Sequence, residues 1–454
     1  MTQKLPRFLF IVLLLAPAAA RSQSTVARPN ATAPAQAASE DSHADFLRAA
    51  DQVLAQMSRI LDLPILHPVR KSVCTKAQIR TYLVQQDQRE KHPAKNYADK
   101  KALEAFGLIP PHFPLHEFML NLLTNQIAGF YDPKAQEFYI ADWIPLSEQR
   151  MVMAHELTHA LDDQHFHIEA WLKAARPNDD AQAARQAVLE GSAVASMLDY
   201  ELLGTGRNIR DMPDIGLLTQ AVMGSSSSSP GMAAAPPYLR DSLLFPYLTG
   251  AEFTQQVLKA GSGWKDFQKV FARPPVSTQQ IMQPALYLAG KAPPPVTLPG
   301  LNRPLGRRWK LLDENVAGEF NLQEILKQSL PRQQAVLLAP DWWGDRYAIL
   351  ENKKTKSSLL LFRLRLDTDR HASDFFSAYS DLLRKKHPGA KAVFTAPEFL
   401  EFDSAAGGVF LECRADECFS MEGAGRRAFN AVTRAMGWPA APRPQHMPSS
   451  LRGQ

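Results

Sequence analysis

The residues best suited to chemistry lie in one run, MAHELTHAL, at positions 153–161. If this run is a helix, His155 and His159 lie on the same face, one turn apart. Two imidazoles placed in this way form a two-point site for a divalent metal. Glu156 lies about 100° further round the helix, beside such a metal without being forced to bind it. Its carboxylate is then placed to take a proton from a water that the metal activates.

The side chains around these three residues are apolar over most of the helix surface, so we expect the helix to be buried. They are Met151, Val152, Met153, Ala154, Leu157, Ala160 and Leu161. Buried imidazoles and carboxylates need partners, and a divalent metal would supply one to each. We therefore favour a metal site over two core histidines that are satisfied by ordinary hydrogen bonds.

A metal site of this kind needs a third protein ligand, and two residues compete for the role. His165 stands at a suitable spacing from His155, but that arrangement requires a sharp turn at Asp162, where glycine would serve best. Glu190 lies on an apolar stripe of a second predicted helix, so its carboxylate should point into a core. A buried carboxylate is costly unless paired, and the metal would pair with it. We favour Glu190 and keep His165 as the alternative.

The candidate ligands lie on two predicted helices, about Ser147–Asp163 and Asp179–Leu203. Just before the first helix, the β-rich runs Ile127–Tyr131 and Glu137–Ile140 flank a turn sequence and predict a hairpin. Helical spacing of apolar residues predicts further helices at Asp45–Leu61, after Thr75, at Leu115–Leu123 and across Leu239–Phe271. The site is thus expected in a mostly helical domain with one small sheet.

The run HELTH at 155–159, with Asp163 after it and a glutamate on the next helix, resembles the zinc metallopeptidases of the thermolysin-like class. In that class, also called gluzincins, a glutamate is the third zinc ligand. The hairpin that begins near Gly129 resembles the same class, and the likeness extends over residues 127–198. More loosely, the motifs FPY at 245–247 and WGDRY at 343–347 resemble a little-characterised group of secreted bacterial proteins with this core.

The resemblance implies a zincin-like fold and peptide-bond hydrolysis with one Zn²⁺ per chain. It implies that His155, His159 and Glu190 bind the metal and that Glu156 is the general base. It also implies that the edge strand containing Gly129 pairs with the substrate backbone.

The sequence departs from the thermolysin-like pattern at two places. Those enzymes have an aspartate four residues after the glutamate ligand, where it orients an imidazole, whereas this chain has Val194. We therefore expect Asp163 or Asp162 to support a ligand ring. The oxyanion-stabilising residues of the class have no matching motif, and Tyr247 is our candidate, with Tyr287 behind it; an ordinary core role is the alternative for both.

The N-terminal residues predict export. Residues 1–20 combine Lys4 and Arg7 with a short apolar run and Ala18–Ala20, the pattern of a signal peptide cleaved after Ala20. Residues 21–43 are rich in Ala, Pro, Ser and Thr and predict a disordered tether. No later apolar run reaches the roughly 20 residues that a membrane-spanning helix needs. We expect a secreted or periplasmic protein.

The overall charge argues against a nucleic-acid partner. Lys and Arg number 51 against 46 Asp and Glu, a net charge of +5, and no basic run is present. The expected partner is a protein or peptide substrate. Oligomeric state is not predicted by the sequence.

A proline-rich segment at 293–304 marks an expected domain boundary. We predict an α+β protein, with a mostly helical zincin-like peptidase domain at 44–295 and a smaller α+β domain at 305–440. The second domain is expected to be a separable accessory unit without a further cluster of His and acidic residues. Its segment Trp342–Tyr347 is expected either to form a recognition surface or, as we favour, to place its tryptophans in the core and pair Asp345 with Arg346.

The chain has 3 cysteines. Cys413 and Cys418 flank a short turn between two apolar runs, so a hairpin would bring them within bridging distance in an oxidising compartment. We predict a disulfide between them. Cys74 is then expected to be a small buried residue rather than a reactive thiol.

Together these features predict a secreted zinc-dependent peptidase in which Glu156 is the general base. The alternative is a secreted protein that keeps zinc for structure and has a binding or assembly role. The presence of Glu156 favours catalysis, because a structural site has no need of a base.

Overall fold

The computed structural model describes residues 41–89, 92–216, 219 and 230–441. The expected signal peptide lies outside these ranges, as does the expected tether up to residue 40. Residues 41–43, which we assigned to the tether, are the first turn of a helix. None of the helices within the described ranges has the length and apolar character needed to cross a membrane.

The first part of the chain is mostly helical around one small sheet, as the sequence predicts. Its elements are α1 (Asp41–Leu61), β1 (Arg70–Cys74), α2 (Lys76–Arg89), α3 (Pro93–Phe106), α4 (Leu115–Gln126), β2 (Gly129–Asp132), β3 (Glu137–Ala141), α5 (Leu146–Phe166), α6 (Ile168–Lys173) and α7 (Asp179–Glu201). Short helices follow, with one long one: α8 (Pro230–Ala233), α9 (Pro237–Ala260), α10 (Trp264–Phe267), α11 (Lys269–Ala272), α12 (Thr278–Met282), α13 (Pro284–Leu288) and α14 (Asn302–Leu305).

The small sheet has the strand order β1-β3-β2, so β2 forms one edge. The predicted hairpin is present, with Phe130 of β2 opposite Tyr139 of β3. β1, which the sequence did not predict, pairs with β3 in parallel. Gln149 of α5 donates hydrogen bonds to the carbonyls of Ala128 and Ala141, at 3.0 and 2.9 Å, and so joins the helix to the sheet.

The expected single helical stretch across 239–271 is divided by glycine. α9 ends at Ala260, and Gly263 has a φ of 135°, which an L side chain rarely adopts. The chain then continues in the short helices α10 and α11.

The second part of the chain is built on an antiparallel sheet. Its elements are β4 (Trp309–Asn315), α15 (Gly318–Leu326), α16 (Arg332–Leu338), β5 (Trp342–Asn352), β6 (Ser358–Leu366), α17 (Asp369–Lys386), β7 (Lys391–Ala396), β8 (Phe399–Ser404), β9 (Gly407–Arg414), β10 (Glu417–Glu422) and α18 (Arg426–Ala435). The strand order is β4-β5-β6-β10-β9-β8-β7. α17 and α18 pack with separate apolar clusters, because successive side chains of a strand point to opposite faces. The predicted α+β class is confirmed.

One apolar core runs across the expected domain boundary. It includes residues of α1, α5, α7 and α9 together with residues of β5, β6 and α17. Phe106 of α3 packs edge-on against Tyr347 and Phe362 of the large sheet, with ring centroids 5.6 and 5.3 Å apart. Lys95 of α3 pairs with Asp313 of β4 at 2.8 Å. The two expected domains thus share one core, and whether the second is separable stays a prediction for a truncated chain to test.

The segment Trp342–Tyr347 is largely internal. Trp342, Asp345 and Tyr347 are buried, whereas Trp343 is partly exposed. The expected pair between Asp345 and Arg346 is wrong. The carboxylate of Asp345 accepts from the backbone N–H groups of Ala317 and Gly318 at the start of α15, and Arg346 pairs with Glu314 at 2.9 Å.

The predicted disulfide is present, but the third cysteine is not buried as we expected. Cys413 and Cys418 lie opposite each other in the β9–β10 hairpin and form a disulfide. Cys74 is unpaired, and it is partly exposed at the end of β1 rather than buried.

Candidate metal centre

Helices α5 and α7 bring three side chains to one point. The Nε2 atoms of His155 and His159 are 3.2 Å apart. Oε2 of Glu190 lies 3.2 Å from the first nitrogen and 3.4 Å from the second. The favoured ligand set therefore lies together, as a nearly equilateral triangle of donor atoms.

The triangle has the dimensions of one face of a tetrahedral zinc site. With zinc–nitrogen and zinc–oxygen bonds of about 2.0–2.2 Å, neighbouring ligands of a tetrahedron lie roughly 3.3–3.5 Å apart. The edge of 3.4 Å lies within this range, and the two edges of 3.2 Å are about 0.1 Å below it. Two imidazoles and one carboxylate are also a common donor set for catalytic zinc, which leaves a fourth position open. The residues present thus fit a zinc ion.

The protonation states suit metal binding. Burial lowers the pKa of His159 to about 4 although Glu190 acts in the opposite direction, so the ring is neutral at pH 7. Burial alone would raise the pKa of Glu190, but hydrogen bonds from His155 and His159 lower it to about 2. A neutral imidazole and a charged carboxylate are the forms that bind metals.

Two residues outside the predicted ligand set hold Glu190 in place. Gln186, one turn earlier on α7, donates from Nε2 to Oε1 of Glu190 at 2.7 Å. The Tyr247 hydroxyl also hydrogen-bonds to Glu190, and its ring stacks on that of His155 with centroids 6.0 Å apart. Burial, then the charges of Glu190 and Glu156, raise the pKa of Tyr247 well above its usual value, so the hydroxyl keeps its proton. Gln186 was missed by sequence reasoning, although its spacing from Glu190 was a usable signal.

Glu156 is fixed by the edge strand. Its Oε2 accepts a hydrogen bond of 2.7 Å from the backbone N–H of Tyr131 in β2. Strand peptide groups alternate in direction, so the backbone of Gly129 faces the same side as that of Tyr131. Gly129 is itself tightly packed, since an added Cβ would lie 3.1 Å from both Val152 and the Tyr139 carbonyl.

Asp163 supports Tyr131 rather than a histidine ring. One carboxylate oxygen accepts from the Tyr131 hydroxyl at 2.9 Å, and the other accepts from the backbone N–H of Ile168 at 3.2 Å. Val194, the position where thermolysin-like enzymes have an aspartate, is an apolar core residue. Nδ1 of His155 has no hydrogen-bond partner in the described part of the chain. We expected Asp163 to orient a ligand histidine, but its carboxylate instead binds Tyr131 and Ile168.

The alternative ligand His165 does not join the cluster. Helix α5 continues through Asp162 to Phe166, so the turn that His165 would need is absent from that position. Nε2 of His165 instead lies 2.8 Å from the carbonyl oxygen of Pro64. Tyr287 is also elsewhere, since its hydroxyl donates to the carbonyl of Arg273 at 2.9 Å.

A close helix crossing places Tyr247 beside Glu190. Gly191 of α7 and Gly250 of α9 touch through their backbones, and a Cβ on Gly191 would lie 2.0 Å from the carbonyl carbon of Gly250. Such an approach is open only to glycine. Glu190 directly precedes Gly191 in the chain, and Tyr247 lies three residues before Gly250.

The described residues enclose the centre. His155, His159 and Glu156 have an exposed fraction of 0 %, and Glu190 and Tyr247 have 2 % and 8 %. A substrate would therefore need a rearrangement of the surrounding chain to reach Glu156.

A second group of possible ligands was not expected from the sequence. Asp341, Asp367 and His371 lie together near the start of α17, with Asp367 exposed and the other two partly exposed. Nδ1 of His371 is 2.5 Å from Asp367 and 3.4 Å from Asp341. These contacts form ordinary ion pairs when the ring is protonated, and the hydrogen bond with Asp367 is the main cause of the raised pKa of His371.

Comparison with known proteins adds one match. A family model described as a domain of unknown function, DUF8575, matches residues 307–432, from just before β4 into α18. No curated protein matches the chain, and no solved structure matches it either. The match covers the large sheet and does not include the metal centre.

Proposed function

We propose that this chain is a secreted zinc-dependent peptidase of the gluzincin type. The observation that carries the proposal is the triangle formed by His155, His159 and Glu190, whose edges match a zinc site and beside which Glu156 is held. A buried group of this composition is costly without a cation, and zinc would satisfy all three donors.

Each residue has a separate role in the proposed reaction. Zinc, when bound, polarises the scissile carbonyl and acidifies the attacking water. Glu156 takes the proton as the water oxygen attacks the carbonyl carbon, and it delivers that proton to the nitrogen as the C–N bond breaks. The backbone N–H of Tyr131 keeps the Glu156 carboxylate in one orientation for both transfers.

Tyr247 is the candidate for oxyanion stabilisation. Its hydroxyl keeps its proton because it is buried near two carboxylates, so it is a hydrogen-bond donor at neutral pH. A fixed donor beside the reacting carbonyl stabilises the charge that develops on oxygen. In this proposal the hydroxyl leaves Glu190 when substrate enters.

The edge strand β2 is the proposed contact for the substrate backbone. It pairs with β3 on one side, and the peptide groups of Gly129 face the other side, where Glu156 lies. An extended peptide added to this edge would pass the general base. The proposed substrate is therefore a protein or peptide in extended form.

The proposal is tested with Glu156→Gln and the matched control Glu148→Gln, which lies on the same helix outside the centre. We expect both variants to hold one zinc per chain, while only Glu156→Gln loses hydrolysis of a peptide library followed by mass spectrometry. Removal of a general base should lower the rate by about 10²–10⁴-fold. Equal activity of the two variants would contradict the role of Glu156.

Export is part of the proposal and has its own test. Expression of the full chain in a bacterium with a periplasm should yield a protein whose N-terminus begins after Ala20. A protein that retains residues 1–20 in the cytoplasm would contradict it.

The enclosure of the centre favours one second candidate, a zinc ion kept for structure. In that case the zinc-loaded wild type would hydrolyse none of the library peptides, and chelation would unfold the chain. The peptidase proposal instead expects cleavage that is lost on chelation and restored by added zinc.

A further inference from the structure

Two short segments that lie far apart in the chain bring basic residues to one end of the large sheet. β4 and β5 are antiparallel, so the start of β4 meets the end of β5, with Lys310 opposite Glu351. The backbone N–H of Lys353 also donates to the carbonyl of Arg308 at 2.9 Å. The pairing thus joins residues 303–310 to the turn at 353–356, although no basic run in the sequence indicates it.

The turn that follows β5 is held by Asn352. Its Oδ1 accepts hydrogen bonds from the backbone N–H groups of Lys354 and Thr355, at 3.0 and 3.2 Å. Its backbone N–H donates to the carbonyl of Ser357 at 2.9 Å. Asparagine commonly fixes tight turns in this way. The lysines of the turn are therefore presented together at the end of the sheet.

Seven exposed cations form the resulting basic surface. They are Arg303, Arg307, Arg308, Lys310, Lys353, Lys354 and Lys356. Glu351 is the only acidic residue in the segments 301–312 and 351–358, and it is buried. Its carboxylate pairs with Lys356 at 3.2 Å and accepts a hydrogen bond from the Tyr97 hydroxyl. The other six cations have no ion pair with any residue that the structure describes, so an anionic partner would stabilise them.

The surroundings of the basic surface favour a lipid bilayer as that partner. Tyr97 has an exposed fraction of 42 % and reaches the surface through its hydrogen bond with Glu351. Tyrosine is enriched where a membrane meets water, because its ring is apolar and its hydroxyl is polar. Lys101 lies over the Tyr97 ring, 5.6 Å from its centroid, and would compete with a nucleic-acid base for stacking on that ring.

The proposed export also favours lipid, since an exported chain leaves the nucleic acids of the cytoplasm behind. The choice of lipid over nucleic acid therefore rests in part on the proposed function. The charge of the basic surface does not, and it can be tested with the purified chain whether or not the chain is a peptidase.

We propose that the basic surface binds the anionic head groups of a phospholipid bilayer. A bilayer presents a broad plane of phosphates, which several of these long side chains can contact at once. Each Lys or Arg that lies near such a plane strengthens binding by about fivefold. The attraction is between exposed charges, so it weakens as salt rises. The surface shares no residue with the metal centre.

The proposal is tested by sedimentation of the exported chain, residues 21–454, with vesicles. Residues 1–20 are left out because an apolar signal peptide would itself enter lipid. One set of vesicles contains phosphatidylglycerol and phosphatidylcholine in a ratio of one to two, and the other contains phosphatidylcholine alone. At about 0.15 M salt we expect binding to the first set, binding weaker by about tenfold or more to the second, and release at about 1 M salt. Equal binding to both sets, or none to either, would overturn the proposal.

Double variants test whether the binding is at this surface. Lys353→Gln with Lys354→Gln should weaken binding by about tenfold or more, with an unchanged unfolding temperature because both side chains are exposed. Lys353→Arg with Lys354→Arg keeps the charge and should bind as the wild type does. The matched control, Lys76→Gln with Lys265→Gln, removes two exposed lysines from the first part of the chain and should also bind as the wild type does. Equal weakening by both glutamine pairs, or none by the first, would contradict the proposal.

Nucleic acid is the competing partner in the same assay. Duplex DNA, supplied at the same concentration of accessible phosphate as the anionic vesicles, should bind the chain more weakly than they do. Tighter binding of the DNA would overturn the proposal and would make nucleic acid the partner of the basic surface.

Discussion

At the scale of single residues, the proposed function depends on how Glu190 is held. Four hydrogen-bonding groups surround its carboxylate: the two histidine rings, the amide of Gln186 and the hydroxyl of Tyr247. A carboxylate that is fixed before the metal arrives loses less freedom on binding it. We therefore predict different effects on zinc binding when Glu190 and when Gln186 is replaced.

Glu190→Ala should remove zinc binding, because it deletes one of the three donors. His165→Ala should leave about one zinc per chain, since His165 contacts Pro64 instead of the centre. Metal analysis after gel filtration distinguishes the two. The reverse pattern would move the protein to the class with three histidine ligands.

Gln186→Ala should weaken zinc binding by about 10–100-fold without changing its stoichiometry, since it removes an outer-sphere hydrogen bond. Gln182→Ala, one turn earlier on α7, is the matched control and should bind as the wild type does. Competition with a fluorescent chelator measures both affinities. An unaltered affinity in Gln186→Ala would mean that the histidines and Tyr247 hold Glu190 without help from Gln186.

At the scale of elements, the crossing of α7 and α9 sets the shape of the centre. Gly250→Ala would place a Cβ 2.2 Å from the carbonyl oxygen of Ala187 and push the helices apart. We expect a loss of about 1–3 kcal/mol in the free energy of unfolding, measured by urea denaturation, together with weaker zinc binding. Gly300→Ala, where an added Cβ meets no atom within 4 Å, is the control. If Gly250→Ala were as stable as the wild type, α7 and α9 could move apart without a cost in free energy.

Two buried carboxyl groups near the start of α15, those of Asp180 and Glu319, should make stability depend on pH. Burial is the main cause that raises the pKa of Asp180 to about 7 and that of Glu319 to about 8, and hydrogen bonds from Thr278 and Gln283 act in the opposite direction. A carboxyl with a raised pKa in the folded chain holds its proton more tightly there than in the unfolded chain. Its stabilising effect is therefore complete below pH 4 and is lost as pH rises towards 7–8.

We expect Glu319→Gln to be more stable than the wild type at pH 9, by on the order of 2 kcal/mol, and to lose this advantage at pH 5. Chemical denaturation at the two pH values measures the difference. An advantage that is the same at both pH values would contradict the titration of Glu319.

The sequence was informative where spacing along one helix determines proximity. His155, His159 and Glu156 are close because of helical geometry alone. The apolar stripe around Glu190 correctly predicted that its carboxylate is buried. The partners of Tyr131 and the contact of Gly191 with Gly250 depend on how separate elements pack, which no local pattern encodes. β1 was missed because RKSVC is mostly polar, and Asp163 was misassigned because its partner lies on another element.

At the scale of the whole molecule, the two parts are joined by charges as well as by the shared core. Lys95 pairs with Asp99 at 2.5 Å, with Asp179 at 3.1 Å and with Asp313 at 2.8 Å. The ammonium offsets the repulsion among the three carboxylates, and its removal would leave them close together without a cation. Since Asp313 belongs to β4, the arrangement includes both parts of the chain.

A chain that ends at Arg303 should therefore fold poorly. It would expose Phe106, which packs on the large sheet, and would leave Lys95 without Asp313. We expect a lower unfolding temperature by circular dichroism, aggregation on gel filtration and loss of zinc. A monomeric, zinc-bound product with the stability of the full chain would instead support two independent domains, as the proline-rich boundary suggests.

The contact between Lys95 and Asp313 spans 218 positions of the sequence. Because a chain is synthesised from its N-terminus, α3 emerges long before its partners in the large sheet. The part of the core that α3 shares with the large sheet cannot form until those late residues are available. We expect the metal centre to depend on this shared core, in which case a chain that passes through a membrane unfolded would gain its proposed activity only on the far side.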